Sequence, residues 1–337
     1  MLAAESAIRK GPSTVNPNRR KLLLAAAASL TAPALAQSTL PENGVRAAVR
    51  RFSELPATAS CLIVADHPTA PWRASHNSAA RLFVGSAVKT FILAAYLREV
   101  EAGRLALGQQ LAIDDTVRSL SSPLFLHLSG TTEARSVLEA MIAHSDNTAT
   151  DAALPAVGVA RVRSLIEHAG LQATQVPDST RRLFSYVAGA SEGVDVGWEG
   201  MQRLESAPIT NARPPLNEHQ TMASSADDLV RWYQRAIRGE FFKAPGTVLE
   251  FKRIQAMADS LAHVVPPDTA AYGKGGNIDW EGFHCFSLAG QMVVQKAPVT
   301  FCFTINWSGP NDDVPRVFDA YKAAVTDVLH EAARAPF

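Results

Sequence analysis

The hydrophobic and polar residues of this chain change period, from strand-like near both ends to helix-like between them. Apolar runs typical of strands occur at 61–65, 283–294 and 299–307, and a shorter run occurs at 272–275. A further short strand is predicted near 72–74. Strands near the two ends with helices between them predict an α+β arrangement, in which one antiparallel sheet is built from both chain ends and an all-helical lobe is inserted.

Apolar residues recur at helical spacing between these strands and in one segment on each side of them. Helices are predicted over 44–55, 86–102, 134–144, 148–155, 159–169, 197–204, 225–238, 247–262 and 315–334. Thr132 and Ser225 are suitable N-caps for two of them, because a side-chain oxygen accepts free N–H groups of the first turn. Residues 171–220 hold several Gly and Pro and little periodicity outside one helix. A long loop region is predicted there, and such loops in a compact domain are usually functional.

The first 36 residues have the composition of an export signal. An Arg-Arg pair at 19–20 precedes an Ala- and Leu-rich run that ends at 34–36 in Ala-Leu-Ala, an A-x-A cleavage pattern. Twin arginines before a mildly apolar run are typical of a Tat-type signal peptide. We therefore predict a signal peptide over 1–36, cleavage near Ala36-Gln37 and a periplasmic or secreted protein. A short membrane anchor is the alternative.

Charge and hydropathy exclude two classes of partner. The chain has 32 Lys and Arg against 32 Asp and Glu, and the predicted signal removes five basic residues and one acidic residue. The exported protein is then slightly acidic and has no basic stripe, so nucleic acid is not an expected partner. No apolar run reaches the 18 residues of a membrane span, so no stable membrane insertion is expected. A monomer acting on a small molecule is predicted.

The three cysteines do not predict a metal site. Cys61, Cys285 and Cys302 lie in apolar, strand-like stretches without metal-ligand spacing. No metal and no organic cofactor is therefore predicted. An exported protein can hold one disulfide, and Cys285–Cys302 is the candidate pair if their strands are neighbours. Buried free thiols are the alternative.

A serine and a lysine at the start of one predicted helix suggest nucleophilic catalysis. Ser86 and Lys89 are three residues apart, so their side chains share one face of the first turn. A serine hydroxyl is a weak nucleophile that needs an adjacent base. Lysine can be that base where burial disfavours its charged form. The pair alone is a weak signal, because a capping serine and a solvated lysine produce the same pattern.

Two further motifs follow in order along the chain. A Ser-Asp-Asn sequence at 145–147 ends a predicted helix, and a Lys-Gly-Gly sequence at 274–276 lies on a predicted strand. Ser145 can relay a proton to a leaving group, and Asn147 can form a hydrogen bond with a substrate amide. Lys274 can place positive charge beside a substrate carboxylate.

The order and spacing of the three motifs resemble those of the class A β-lactamases and the wider penicillin-recognising active-site-serine hydrolases. The segment 141–151 is also similar to the corresponding segment of that family. The resemblance implies the β-lactamase/transpeptidase-like fold as one domain over 37–337. An α/β lobe over about 37–80 and 240–337 and a helical lobe over about 81–239 would flank the active site.

The resemblance also implies catalytic roles for the matching residues. Ser86 would be the acylated nucleophile, Lys89 its general base or proton relay, and Ser145 the proton shuttle to the leaving group. Acyl transfer through an acyl-enzyme on Ser86 is therefore the expected chemistry.

Four residues are implied to bind the substrate. Asn147 would contact it directly, and Lys274 would anchor it electrostatically. Gly276 and Asn277 follow Lys274 on the strand. The backbone N–H of Asn277, with that of Ser86, would form the oxyanion hole.

The strand motif departs from the family pattern at Gly275. The family normally has Thr or Ser at this position, and its hydroxyl binds the substrate carboxylate. Losing a hydrogen bond to a charged group costs about 1.5–3 kcal/mol. This departure argues against a highly tuned penicillin hydrolase.

The expected deacylating glutamate is also missing. In class A enzymes a loop glutamate roughly three dozen residues after the Ser-Asp-Asn serine activates the deacylating water. That distance from Ser145 reaches Arg181 and Arg182, and no Glu-x-x-Leu-Asn pattern is present. Nearby carboxylates are Asp178, Glu192, Asp195, Glu199, Glu205 and Glu218. Glu218 is the chosen candidate because it lies beside an Asn and a His just before the next helix.

These observations favour one function and leave alternatives. The leading prediction is an exported serine hydrolase that opens β-lactam rings, with slow turnover because its deacylating base is not evident. An esterase or D-alanyl peptidase acting on related amides or esters is an alternative. A penicillin-binding protein that is acylated without turnover is another.

Overall fold

The computed structural model describes residues 42–206 and 208–335. The predicted signal peptide and its cleavage site lie outside the described residues. Within those ranges, no helix is long and apolar enough to cross a membrane. The described residues belong to one compact unit.

Eleven helices and nine strands make up the described fold. The helices are α1 (Glu42–Ser53), α2 (Lys89–Glu101), α3 (Ala134–Ala143), α4 (Asn147–Val157), α5 (Val159–His168), α6 (Thr180–Val187), α7 (Gly197–Ser206), α8 (Ala226–Ile237), α9 (Pro245–Gln255), α10 (Asp259–Ala262) and α11 (Val314–Arg334). The strands are β1 (Thr58–Ala65), β2 (Trp72–His76), β3 (Leu82–Phe83), β4 (Gln110–Ile113), β5 (Gly130–Glu133), β6 (Ala223–Ser224), β7 (Ala271–Trp280), β8 (Phe283–Val294) and β9 (Ala297–Ser308).

The main sheet joins the two ends of the chain, as the sequence predicted. Its five strands are antiparallel and run in the order β2-β1-β9-β8-β7. The N-terminal β1 therefore pairs with the C-terminal β9, with Cys61 opposite Phe303. Nearly every residue of β8 and β9 is buried, so both faces of the sheet are covered. This confirms the predicted α+β fold and makes β7 an edge strand of the sheet.

The placement of α8 differs from the predicted lobe boundary. The helical lobe was predicted to extend to residue 239, which includes this helix. Instead α8 packs against β1, β8 and β9, because apolar residues along it are buried. Its Ser225 cap is confirmed, since the side chain accepts a hydrogen bond from the N–H of Asp228. The other limits of the lobes stay predictions.

Two local expectations about helices, one on a cap and one on continuity, are wrong. Thr132 does not cap α3, because it pairs with Leu111 in the β4–β5 hairpin and α3 begins at Ala134 without a side-chain cap. The predicted helix over 247–262 is split into α9 and α10. The break allows α10 to lie against β7.

The region 171–220, predicted to be mainly loop, contains two helices. The predicted helix over 197–204 corresponds to α7. However, α6 was missed, although Ser179 supplies its cap and accepts a hydrogen bond from Arg182 N–H at 3.0 Å. The signal was a serine followed by an apolar, amphipathic stretch, which the neighbouring Pro and Gly residues obscured.

The cysteines are three buried free thiols, so the disulfide alternative is wrong. Although β8 and β9 are neighbours, Cys285 lies opposite Asn306, and Cys302 lies opposite Ala289. The two thiols are therefore out of register. Burial raises the pKa of Cys61 and Cys302 to about 12. The thiols at these two positions are accordingly protonated and unreactive near neutral pH.

Two glycines let β7 approach the turn before α2 at backbone contact distance. A Cβ on Gly276 would lie 2.1 Å from the carbonyl oxygen of Val84 and 2.7 Å from the nitrogen of Ser86. On the turn, Gly85 has a φ of +53°, and a Cβ there would lie 3.0 Å from the nitrogen of Asn277. Both positions require glycine because backbone atoms occupy the space of a side chain. This contact positions the site.

We expect Gly276→Ala to destabilise the protein by about 1–3 kcal/mol or more, because the added methyl meets backbone that has little freedom to move. Urea unfolding followed by circular dichroism measures this change. The control is Gly246→Ala in α9, where a Cβ meets nothing within 4 Å. That change should be neutral or stabilising by up to about 1 kcal/mol. Equal unfolding midpoints for the two variants would contradict the close contact.

Candidate active site

Ser86 lies on a single turn of 3-10 helix, Gly85–Val88, that leads into α2. The spacing of Ser86 and Lys89 predicts a place in the first turn of the α-helix itself. The difference arises because Gly85 has a positive φ and α-helical geometry begins only at Lys89. Ser86 is half-buried and Lys89 is fully buried. The turn therefore presents the serine to the surface and directs the lysine inward.

The amino group of Lys89 contacts the Ser-Asp-Asn turn. Its Nζ donates to the carbonyl oxygen of Ser145 at 2.5 Å and to Oδ1 of Asn147 at 2.7 Å. It also lies 3.4 Å from Ser145 Oγ. Across the described residues, no hydrogen bond joins Lys89 Nζ to Ser86 Oγ. The amine is thus held by the 145–147 turn, and its contact with a hydroxyl is with Ser145.

Electrostatics favour the neutral form of this amine. Burial lowers the pKa of Lys89 well below its usual range, and the positive charge of Lys274 lowers it further, although Asp146 and Asp151 oppose the shift. A neutral amine has two N–H groups and one lone pair. Its two shortest contacts use both N–H groups, so the lone pair is available to accept a proton.

The turn that holds Lys89 is itself fixed by a buried carboxylate. Asp146 caps α4 by accepting a hydrogen bond from Ala149 N–H at 2.8 Å. Its other oxygen accepts from the N–H groups of Leu124 and Phe125 at 2.9 and 2.8 Å. Ser145 has a φ of +60°, an uncommon conformation that these bonds maintain. These contacts give Asp146 a structural role in the turn.

Asn147 is buried, and both ends of its amide are engaged. Oδ1 accepts from Lys89, and Nδ2 donates to the carbonyl oxygen of Leu120 at 2.9 Å. The second N–H of Nδ2 has capacity for one more hydrogen bond. Asn147 therefore positions the lysine as well as lining the cleft.

Lys274 is a second buried lysine, on β7. Its Nζ donates to the carbonyl oxygen of Gly275 at 2.8 Å. Burial lowers its pKa to about 8, with a small opposing effect from Asp259. Among the described residues no carboxylate lies within ion-pair distance of it. Lys274 is consequently a cation, near neutral pH, with unused donors.

A cleft of about 540 Å³ opens beside Ser86. Ser145, Asn147 and Asn277 line it together with the serine. The apolar residues that line the cleft are Phe83, Pro123, Leu126, Leu183, Phe184, Met222 and Ile278. Lys274 and Gly276 line an adjacent cavity that shares Ser145 and Asn277 with the cleft. The structure therefore brings seven of the eight predicted site residues together.

Glu218 is the exception. Its side chain is 82% exposed and pairs with Arg81 at 3.2 Å, outside the residues that line the cleft. The structure therefore places Glu218 at the surface rather than in the cleft, and this position gives no support to its predicted role as deacylating base. Other loop carboxylates also face arginines or histidines, as seen for Asp178 with Arg163, Glu192 with His219, Asp195 with Arg181 and Glu199 with Arg203. The side chain of Glu205 lies outside the described residues.

Comparison with protein families provides an assignment. Residues 46–291 match the model of the β-lactamase enzyme family, which is well over half of the chain. The chain belongs to the β-lactamase family. Among curated proteins, no sequence matches it.

Solved structures agree with this family in fold. A β-lactamase from Sphaerobacter thermophilus is 20% identical, with a TM-score of 0.65 over 87% of this chain and 97% of the other. A β-lactamase from Xanthomonas campestris is 15% identical, with a TM-score of 0.67 over 88% and 98%. PBP-A is 17% identical, with a TM-score of 0.65 over 87% and 96%. At these identities the likeness concerns the fold.

A buried carboxylate of this β-lactamase-family chain, Asp151, was missed from the sequence. Asp151 on α4 accepts hydrogen bonds from the N–H and hydroxyl of Thr180 at 2.7 Å each and from the N–H of Arg181 at 3.0 Å. Burial raises its pKa to about 6. Thr180 also lies 2.7 Å from Ser119 Oγ. No local motif marks Asp151, because its partners are about thirty residues away along the chain.

The cleft of this β-lactamase-family protein has one carboxylate among the described residues that line it, Asp279. Its Oδ1 lies 2.9 Å from Nδ1 of the buried His284, whose Nε2 contacts the carbonyl oxygen of Gly309 at 2.9 Å. That carboxylate is therefore already engaged. In the described part of the chain, no group of three or more His, Cys, Asp or Glu could hold a metal ion.

We expect Asp146→Ala to lower the free energy of unfolding by about 3 kcal/mol, at about 1 kcal/mol for each of three buried N–H groups left without an acceptor. Urea unfolding measures the loss. The control is Asp319→Ala, where an exposed ion pair with Lys322 is removed. That control should change stability by less than about 1 kcal/mol. A loss of similar size in both variants would contradict the role of Asp146.

Proposed function

We propose that this protein is an exported active-site-serine hydrolase that forms an acyl-enzyme on Ser86 with β-lactams and releases the product slowly. The observation that carries the proposal is the buried Lys89 amine, depressed in pKa and held against Ser145. Membership of the β-lactamase family supports the substrate class. A variant of PBP-A, 17% identical to this chain, forms an acyl-enzyme complex with penicillin G.

Acylation follows from the placement of three side chains. Lys89 Nζ accepts the proton of Ser86 Oγ, directly or through Ser145 Oγ, as Ser86 Oγ attacks the β-lactam carbonyl carbon. The ring C–N bond breaks. The leaving nitrogen takes the proton of Ser145 Oγ, which Lys89 replaces, so the base returns to its neutral form. Ser86 then carries the acyl group as an ester.

The developing oxyanion needs donors beside Ser86. The turn Gly85–Val88 that carries Ser86 is named the nucleophile turn. Its close contact with β7 supports the backbone N–H groups of Ser86 and Asn277 in this role. Asn147 has one free amide N–H for the acyl side chain of the substrate. The apolar residues that line the cleft, such as Leu126 and Phe184, favour an apolar acyl group.

Slow deacylation is proposed because the described residues that line the cleft include no free carboxylate to activate the hydrolytic water. Asp279 is the carboxylate that lines the cleft in the described chain, and it is engaged by His284. Glu218 points to solvent. A water without a positioned base reacts with an ester slowly, since general-base assistance contributes about 10²–10⁴-fold.

Two alternative functions have an observation in their favour. The same lack of a free carboxylate favours a penicillin-binding protein that is acylated without turnover. Gly275, which lacks the strand hydroxyl, favours an esterase or D-alanyl peptidase on related amides or esters. Continuous opening of the β-lactam ring identifies a hydrolase, and reaction that stops after one equivalent of β-lactam per protein identifies a penicillin-binding protein. Cleavage of esters without any reaction with β-lactams identifies the esterase or peptidase.

Export through a Tat-type signal over 1–36, with cleavage near residue 36, is part of the proposal and rests on the sequence pattern alone. A periplasmic or secreted location follows from it. Fractionation of the producing cells tests the export, and the intact mass of the purified protein tests the cleavage site.

We expect Ser86→Ala to abolish the mass increase that benzylpenicillin produces, because the attacking oxygen is removed. Intact-protein mass spectrometry during ring opening measures adduct and turnover together. The control is Ser121→Gly, which removes another cleft hydroxyl at a position whose φ of +56° suits glycine. This control should retain the adduct. An adduct on Ser86→Ala would refute the assignment of the nucleophile.

We expect Lys89→Met to slow acylation by about 10²–10⁴-fold, because the variant retains the side-chain volume and removes the base. The second-order rate of adduct formation measures this change. In the unchanged protein the rate should fall as pH is lowered, because protonation of Lys89 removes the lone pair. The exposed Lys243→Met is the control and should leave the rate unchanged. An unaffected rate in Lys89→Met would leave the lysine only a packing role.

A further inference from the structure

A cavity of about 310 Å³ lies next to the cleft on the side of Lys274. Ser145 and Asn277 line both spaces, so a molecule bound to Ser86 has access to this cavity. Lys274 and Ser260 line the cavity as well. The cavity therefore combines a buried cation with a hydroxyl, and it adjoins the cleft that holds Ser86.

The hydroxyl of Ser260 occupies the space that a side chain at residue 275 would take. A Cβ on Gly275 would lie 2.7 Å from Ser260 Oγ and 2.8 Å from Ser260 Cβ, and the next atom is 3.6 Å away. Ser260 belongs to the short helix α10, which packs against β7. The glycine at 275 and the serine at 260 are therefore complementary in shape. A hydroxyl is present beside Lys274, but a different element carries it.

The oxygen of Ser260 has no partner in the described part of the protein. Ser260 Oγ is buried and makes no hydrogen bond there. Buried hydroxyls are normally satisfied, and an unsatisfied one calls for an explanation. Rotation about its Cα–Cβ bond moves this oxygen between staggered positions beside the cavity. A ligand acceptor would satisfy it.

The charges around the cavity favour an anion. Lys274 is a cation that forms no ion pair with any described residue, whereas Asp259 lies 3.6 Å from His144 and Lys322 lies 3.7 Å from Asp319. Asp259 also lines the cavity, and its carboxylate charge is offset by the lysines Lys274 and Lys322 that line the same space. A hydroxyl and an ammonium group that line one cavity suit a carboxylate, which accepts hydrogen bonds from both.

We propose that Ser260 Oγ and Lys274 Nζ together bind the substrate carboxylate, with Ser260 replacing the hydroxyl that Gly275 lacks. The proposal rests on the proposed function. It names the specificity-determining residue of that site and the substrate class, acyl donors that carry a carboxylate near the leaving nitrogen. It also changes the meaning of Gly275, because the missing hydroxyl is supplied from α10.

The test compares benzylpenicillin with its methyl ester, which lacks the charge. We expect Ser260→Ala to lower the acylation rate constant for the acid by about tenfold or more, the effect of losing one hydrogen bond to a charged group. The rate for the ester should stay within about twofold. The control is Ser287→Ala, which removes another buried hydroxyl of the cavity whose partner is Thr304 at 3.0 Å. It should leave the ratio of acid to ester rates unchanged.

A second variant relocates the hydroxyl. Ser260→Gly with Gly275→Ser removes both atoms that crowd residue 275 and returns an oxygen on β7, so the preference for the acid should recover. Gly275→Ser alone should be destabilised, because its Cβ meets Ser260. Recovery in the double variant separates binding of the carboxylate from a packing role, which relocation would not restore.

The outcomes distinguish this proposal from the function on which it rests. If the unchanged protein reacts with a fluorophosphonate but with neither form of penicillin, the proposed function fails, and the proposal fails with it. If both forms react and Ser260→Ala lowers their rates equally, the function stands and Ser260 is structural. The proposal is supported if Ser260→Ala lowers the acylation rate for the acid alone and the double variant recovers that rate.

Discussion

The active site depends on keeping one lysine amine out of water. Lys89 is fully buried, so its amino group requires hydrogen-bond partners and favours the neutral form. The carbonyl oxygen of Ser145 and Oδ1 of Asn147 are those partners, and they tie α2 to the 145–147 turn. Asp146 holds that turn through three backbone N–H groups. The hydrogen bonds that satisfy the buried Lys89 amine therefore also fix the 145–147 turn.

The edge strand β7 completes the site through close backbone contact. Gly85 and Gly276 let the strand approach the nucleophile turn until Asn277 and Ser86 are neighbours. Donors positioned by backbone contact require no reorganisation during reaction, which is the basis of an oxyanion hole. The same strand carries Lys274 into a cavity that Ser260 borders. One strand thus connects oxyanion stabilisation with recognition of an anion.

The acylating and deacylating parts of the site differ in completeness. Two lysines, Lys89 and Lys274, are buried, and Ser86 is half-buried on the turn Gly85–Val88. By contrast, the segment between α5 and β6 delivers no free carboxylate to the cleft among the described residues. Its acidic side chains pair instead with arginines and histidines, such as Asp195 with the buried Arg181. The charges of that segment therefore serve its own packing. Family membership assigns the scaffold, and acylation and turnover belong to the proposed function.

The sequence alone determined the order of the five strands of the main sheet and of most helices, the sheet built from both chain ends and the three motifs that contain Ser86, Ser145 and Lys274. These depend on local periodicity and on residues close together in the chain, such as Ser86 and Lys89. Tertiary structure alone decided that Lys89 bonds to Ser145 and Asn147, that Glu218 faces solvent and that Ser260 fills the space beside Gly275. Such contacts join residues far apart in the chain, and packing rather than spacing decides which side chains meet.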